Sequence, residues 1–119
     1  MPQIARGEIW LADLNPTRGR EQAGQRPCLV ISVDLFNQGP AGLCVVLPLT
    51  TKKKGVLWHV PVSPDQSGLK LLSYTKCEDI RSISMERVSR RLGSVSTSVL
   101  YAIEYRISRL LGIRPENLR

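Results

Sequence analysis

The sequence predicts a mainly β domain with one C-terminal helix. Three observations carry the prediction. Short apolar segments follow one another, cut by Gly, Pro, Asn and Asp; one run with helical apolar spacing is confined to the end; and 119 residues suffice for a single compact core. No repeat or low-complexity linker divides the chain, so residues 1–119 are expected to form one domain.

Glu8 to Leu14 reads as a first strand, ended by Asn15-Pro16, and a polar, glycine-containing loop from Thr17 to Gln25 follows. Pro27 to Val33 is a second strand, with proline at its first residue, where no ladder donor is lost. Asp34 to Gly42 reads as a connection. Leu43 to Leu49 is almost continuously apolar and is expected to be a buried central strand. Thr50 to Gly55 is a polar loop containing Lys52, Lys53 and Lys54. Trp58 to Val62 alternates like an edge strand, Pro64 to Gly68 is a turn cluster, and Leu69 to Tyr74, Lys76 to Ile83 and Arg90 to Val95 are further short strands. From Val99 the apolar positions Leu100, Ile103, Ile107, Leu110 and Leu111 recur at helical spacing, with Ser96 as N-cap and Gly112 as stop. One helix on a sheet of short strands implies an α+β or β-barrel domain with a capping helix.

Lys and Arg outnumber Asp and Glu 17 to 10, a net charge of +7, which favours a polyanionic partner. The N-terminus lacks the apolar stretch of a secretory signal, and the longest apolar run is too short to span a bilayer. Cys28, Cys44 and Cys77 are odd in number, widely spaced and set in apolar runs. With no Cys-x-x-Cys pair and His59 as the one histidine, a metal site is not expected, and buried reduced thiols in a cytoplasmic protein are.

Four ordered segments resemble one family. Arg6-Gly7-Glu8-Ile9-Trp10 and Asp13-Leu14-Asn15-Pro16-Thr17, followed by Gly19-Arg20-Glu21-Gln22-Ala23-Gly24-Gln25-Arg26-Pro27, resemble the opening strand and G-x-E-Q-x-G-x-R-P loop of the MazF/PemK/Kid toxins. Val46-Leu47-Pro48-Leu49-Thr50-Thr51 resembles their strand ending in Pro-x-Thr. Cys77-Glu78-Asp79-Ile80-Arg81-Ser82-Ile83 resembles their Cys-Asp-Gln-x-Arg-Thr-Ile segment, and Leu92-Gly93-x-Val95 before a helix also fits. The resemblance implies a small SH3-like β-barrel that forms homodimers and cleaves single-stranded RNA at short motifs, leaving 2′,3′-cyclic phosphate and 5′-hydroxyl ends. It implies no cofactor, and a small acidic antitoxin as regulator.

Cleavage by 2′-hydroxyl attack needs a proton acceptor, cationic donors around the phosphorane and a proton for the leaving oxygen. A lone histidine rules out a two-histidine mechanism within one subunit, and His59 reads as a strand-face histidine. Arg26 matches the family arginine that the resemblance marks as catalytic; its guanidinium suits two phosphate oxygens, against a structural pairing with Glu21. Thr50 matches the family threonine, against local backbone capping. Glu21 would accept the 2′-hydroxyl proton or hold Arg26. Arg20, Lys76, Glu78, Arg81 and the Lys52–Lys54 run are the expected RNA contacts, the run against a merely solvated loop. Asp79 departs from the family glutamine, and Arg81 is placed to offset its charge. Lys76 and Glu78, two apart on one expected strand, would share a face. Trp10, Trp58 and Tyr74 are the candidates for a base-stacking platform, with core packing favoured for Trp10. Tyr101 and Tyr105 sit off the helical stripe, toward a partner surface.

Two other functions compete with cleavage. A non-catalytic barrel that binds nucleic acid or antitoxin is opposed by the joint presence of Arg26, Thr50 and Glu21, and a gyrase-directed toxin of similar fold by the G-x-E-Q-x-G-x-R-P loop.

Overall fold

The computed structural model describes residues 3–14 and 24–114. Seven strands build the sheet: β1 (Glu8–Asp13), β2 (Gln25–Val30), β3 (Leu43–Thr50), β4 (His59–Val62), β5 (Ser73–Lys76), β6 (Arg81–Ser84) and β7 (Val88–Ser94). A short helix α1 (Asp34–Asn37) follows β2, and α2 (Thr97–Leu111) ends the described chain.

All strand pairs are antiparallel, in the order β4-β5-β3-β2-β1-β7. β3 organises the rest because its second edge is shared: its first half pairs with β6 and its last two residues with β5. As expected of a central strand, β3 is largely buried, and its two faces feed two cores.

On one face Trp10, Ala12, Cys28, Val30, Cys44, Val46, Ile83, Met85 and Val88 cluster. β1, β2, β3, β6 and β7 curve around this cluster, and a 3₁₀ turn, Met85–Arg87, carries β6 into β7. The arrangement is the expected SH3-like one, with the sheet left open rather than laddered shut. On the other face Ile9, Leu29, Leu47, Leu49, Val60 and Val62 pack with Ile103 of α2. Burying an aliphatic side chain contributes about 1.5–3 kcal/mol, so these two clusters supply the main drive to fold.

The helix begins and ends where its sequence signals stand. Ser96 caps it by accepting from the Val99 N–H at 3.3 Å, and Gly112 leaves it in the left-handed region at φ 70°. Arg106 Nε donates to the Leu57 carbonyl at 2.8 Å, tying the helix to the segment before β4.

The motif glycine Gly93 has a packing reason. A Cβ there would lie 2.3 Å from the Gln66 carbonyl oxygen, and the Ser94 N–H donates to that same oxygen at 2.9 Å. The turn after β4 therefore lies backbone-on-backbone against β7, bracing the side of the sheet where no strand follows.

Three expectations are corrected. The segment Lys76 to Ile83 is not one strand: β5 ends at Lys76, a 3₁₀ turn occupies Cys77–Asp79, and β6 starts at Arg81. The break lets Cys77 bury into the second cluster, with its N–H on the Trp58 carbonyl, while the strand edge passes from β5 to β6. Residues 69–72 are not a strand; β5 is confined to Ser73–Lys76. The connection 34–42 contains α1, whose Asn37 is buried and bonds the Ser32 hydroxyl and carbonyl.

Candidate functional site

The site lies where the concave face of the sheet runs out from under the first core. Antiparallel partners point their side chains to the same face, so register alone defines the rows across it. Cys28 of β2 stands opposite Pro48 of β3. Two residues further along each strand, the same register sets Arg26 across from Thr50, beyond the last paired residues of the two strands. Cys28 and Pro48 are fully buried, whereas Arg26 is exposed and Thr50 half-buried. The row thus emerges from the core within one period of the pleat.

Thr50 stands opposite Tyr74 of β5, and Tyr74 opposite Pro61 of β4. One step back, Lys76 stands opposite His59. Arg26, Thr50, Tyr74, Lys76 and His59 therefore share one face, although 50 positions separate Arg26 from Lys76 in the chain.

A network of charge borders these rows. Arg81 Nη2 donates to both Asp79 oxygens, at 2.6 and 2.7 Å, so the expected pairing of this unusual aspartate is present. Lys76 Nζ lies 3.9 Å from Asp79 Oδ2. Glu78 is not on a strand face with Lys76, because it sits in the 3₁₀ turn. Its carboxylate instead reaches His59, with Nε2 2.8 Å from Oε2. The His59 side chain is only 3% exposed, and its Nδ1 has no partner among the described residues. With the carboxylate as acceptor, Nε2 is the donor of this bond.

The Thr50 hydroxyl oxygen accepts from the Lys52 N–H at 3.2 Å, so the local capping that competes with a functional role does occur. Accepting leaves the hydroxyl proton available to donate, and the two readings coexist. Lys52, Lys53 and Lys54 are exposed on the segment that leaves β3. Arg20 and Glu21 fall outside the described residues, as does any pairing between Glu21 and Arg26.

The thiols are spectators. Cys28, Cys44 and Cys77 are free and buried; burial pushes Cys28 up to about 12 and Cys44 up to about 11, so neither forms the reactive thiolate near neutrality. Among the described residues no group of three or more His, Cys, Asp and Glu side chains gathers in metal-binding range. No helix among them is long and apolar enough to cross a membrane.

The sequence did not place His59 and Tyr74 beside Thr50. Their proximity depends on the β3–β5 and β4–β5 registers, and no local signal encodes strand register between segments joined by long turns. The burial of Trp10 in the first core was legible; its indole N–H donates to Glu8 at 3.0 Å.

Comparison with known proteins agrees with this fold. Residues 5–111 match the family model for the PemK-like, MazF-like toxin of type II toxin-antitoxin systems. The chain is 38% identical over 106 residues to endoribonuclease MazF9 of Mycobacterium tuberculosis, covering 85% of this chain and 90% of that protein. The crystal structure of MazF from Deinococcus radiodurans superposes with a TM-score of 0.83 at 26% identity, covering 94% of this chain and 99% of that one. A MazE–MazF structure from the same organism gives a TM-score of 0.78 at 26% identity, covering 96% and 100%. With a family match across nearly the whole chain and 38% identity to a mycobacterial relative, this protein belongs to the PemK-like, MazF-like family of toxins from type II toxin–antitoxin systems.

Proposed function

We propose that the protein is a sequence-specific, metal-independent endoribonuclease, the toxin of a type II toxin–antitoxin pair, which cuts single-stranded RNA by 2′-hydroxyl attack. The observation that carries this reading is the exposed row at the mouth of the concave face, where Arg26 and Thr50 stand at one level beside Lys76. The endoribonuclease name of the 38% identical mycobacterial relative supports it.

The 2′-oxygen attacks phosphorus as its proton leaves to a carboxylate, and the P–O5′ bond breaks as the departing 5′-oxygen takes a proton from water. The products are a 2′,3′-cyclic phosphate and a 5′-hydroxyl. Arg26 stabilises the charge that grows on the phosphorane oxygens; as a guanidinium it stays protonated and is not the base. The Thr50 hydroxyl donates to the same phosphate. Glu21 accepts the 2′-hydroxyl proton or holds Arg26 in place. Arg20, Lys76, Glu78, Arg81 and the Lys52–Lys54 run line the path of the strand, where positive charge releases counterions as phosphates bind. With cations of the chain's own at the phosphate, no metal or cofactor is needed for this step.

The solved MazE–MazF complex supports a small antitoxin as partner. An acidic, extended antitoxin segment suits the +7 charge and orders as it binds. The toxin acts as a homodimer, in the cytoplasm where its RNA is.

The test is to incubate the purified, antitoxin-free protein with a long single-stranded RNA in excess EDTA and to map the new ends. Cuts at a recurring short motif with cyclic phosphate ends are expected. RNA that is bound but left intact by folded protein would replace the nuclease with a non-catalytic binding module.

A further inference from the structure

The phosphate chemistry gives Tyr74, on the site face, no task. Tyr74 is half-buried on β5, paired in register with Thr50 on one side and Pro61 on the other. Its neighbours in sequence, Ser73 and Thr75, are buried on the opposite face, which orients Tyr74 outward by strand alternation. Neighbouring strands lie about 4.8 Å apart, so the ring stands one strand spacing from the threonine proposed to hold the scissile phosphate.

The other aromatics are committed elsewhere. Trp10 is in the first core, with its indole N–H on Glu8. Trp58 packs against the second core, beneath the opposite face. Tyr101 and Tyr105 are exposed on α2, and Phe36 is exposed on α1. Among the described residues, Tyr74 is thus the aromatic ring that the site rows contain.

We propose that Tyr74 is the stacking platform for the nucleobase next to the scissile phosphate, an inference that rests on the RNA-cleavage reading above. A ribose carries its base several ångströms to one side of its phosphate. A phosphate held between Arg26 and Thr50 therefore delivers an adjacent base over the next strand, where the Tyr74 ring and the Pro61 edge form an apolar floor. Lys76 is two residues along the same face, ready to take the following phosphate. The arrangement alternates a phosphate contact, an apolar platform and a second phosphate contact, which is how single-stranded nucleic acid is held without a complementary strand. Stacking tolerates any base, so Tyr74 sets affinity and registers the strand, and selection among bases comes from polar groups at the ring's edge, Asp79 and Glu78 included.

The experiment measures binding of one single-stranded RNA, 12 nucleotides with 2′-O-methyl riboses throughout, to four proteins: wild type, Tyr74→Ala, Tyr74→Leu and Tyr74→Phe. The modified riboses prevent cleavage, so binding is read apart from chemistry. Removing the ring should weaken binding about tenfold, within the range found for base–aromatic stacking. Leucine keeps apolar volume without a ring and should lose as much as alanine, which covers the case of an alanine variant that does not fold. Phenylalanine, which keeps the ring, should restore most of the affinity. On cleavable RNA the loss should appear in KM rather than kcat. Leucine binding as well as wild type would overturn the proposal, as would a phenylalanine variant as weak as the leucine one. A changed oligomeric state with unchanged RNA affinity would assign Tyr74 to a contact between copies instead. If wild type binds this RNA but cuts no unmodified single-stranded RNA, the nuclease reading fails while the stacking result still stands.

Discussion

Two clusters of charge, one beside β1 and β7 and one at the turn between β5 and β6, have the same ingredients and different reach. At the start of β1, Glu8 accepts from the Ala5 N–H at 2.9 Å, the Trp10 indole at 3.0 Å and Arg91 Nε at 2.8 Å. Its neighbour Arg6 reaches the Ile31 carbonyl and Glu104 of α2, while its N–H donates to Asp34. Those partners lie 25 to 98 residues away, so each contact fastens distant parts of the chain. At the mouth of the concave face the pairs on Asp79 are local, with Arg81 and Lys76 two and three residues away, and His59 meets Glu78 across 19. Local pairs do little to close the fold, but they hold cations in place beside an exposed arginine. The first cluster ties distant segments together; the second borders the face proposed to take RNA.

If that division is right, changes at the mouth should cost activity without stability, and changes at the clamp should do the reverse. The largest effect is expected at Arg26. Arg26→Ala should lose at least about two orders of magnitude in cleavage rate, the scale on which removal of a transition-state donor is felt. Because the side chain is exposed, its thermal midpoint should stay within about 2 °C of wild type. Cleavage at the wild-type rate by a folded Arg26→Ala protein would remove Arg26 from the chemistry. A smaller effect is expected from replacing Lys52, Lys53 and Lys54 together with alanine. RNA affinity should fall about tenfold at low salt, and the slope of log affinity against log salt should flatten by about 0.7 for each phosphate the run neutralises. An unchanged slope would make the run a solvated loop.

The sequence made the two clusters unequally legible. Arg26, Thr50 and the Asp79–Arg81 pair could be named in advance, because motif and spacing are local properties of the chain. The helix could be bounded to within a few residues, since Ser96 and Gly112 carry their own capping chemistry. The break at Cys77–Asp79 could not be seen, because Lys76 to Ile83 keeps apolar residues at intervals that a continuous strand would also show. Its consequence, Glu78 turned onto a buried His59, needs the β4–β5 register and so belongs to tertiary structure. The clamp was hidden for the same reason. Glu8 and Arg91 read as two ordinary charges 83 residues apart until β1 and β7 pair.

The smallest effect, and the sharpest test of the clamp, is the response of Glu8 to pH. Burial raises its carboxyl, but the Ala5 N–H, the Trp10 indole and Arg91 together outweigh burial and hold it below its ordinary value of 4.5. A carboxyl with a lowered folded-state value stabilises the protein above the unfolded value, and that stability drains away as pH falls through the folded one. Glu8→Gln keeps an oxygen for the two N–H donors but gives up the charge that Arg91 faces. At pH 7 it should cost about 1 kcal/mol, or about 4 °C in thermal midpoint. Below about pH 4.5 the gap between variant and wild type should shrink, since the unfolded carboxyl then takes up a proton before the native one, and it closes once pH is below the folded value. RNA cleavage at pH 7, measured well below the midpoint, should be unchanged, because the clamp touches none of the site rows. A gap that persists at low pH would show that Glu8 acts through shape rather than charge; a loss of cleavage in the folded variant would show that the two clusters are coupled through β1.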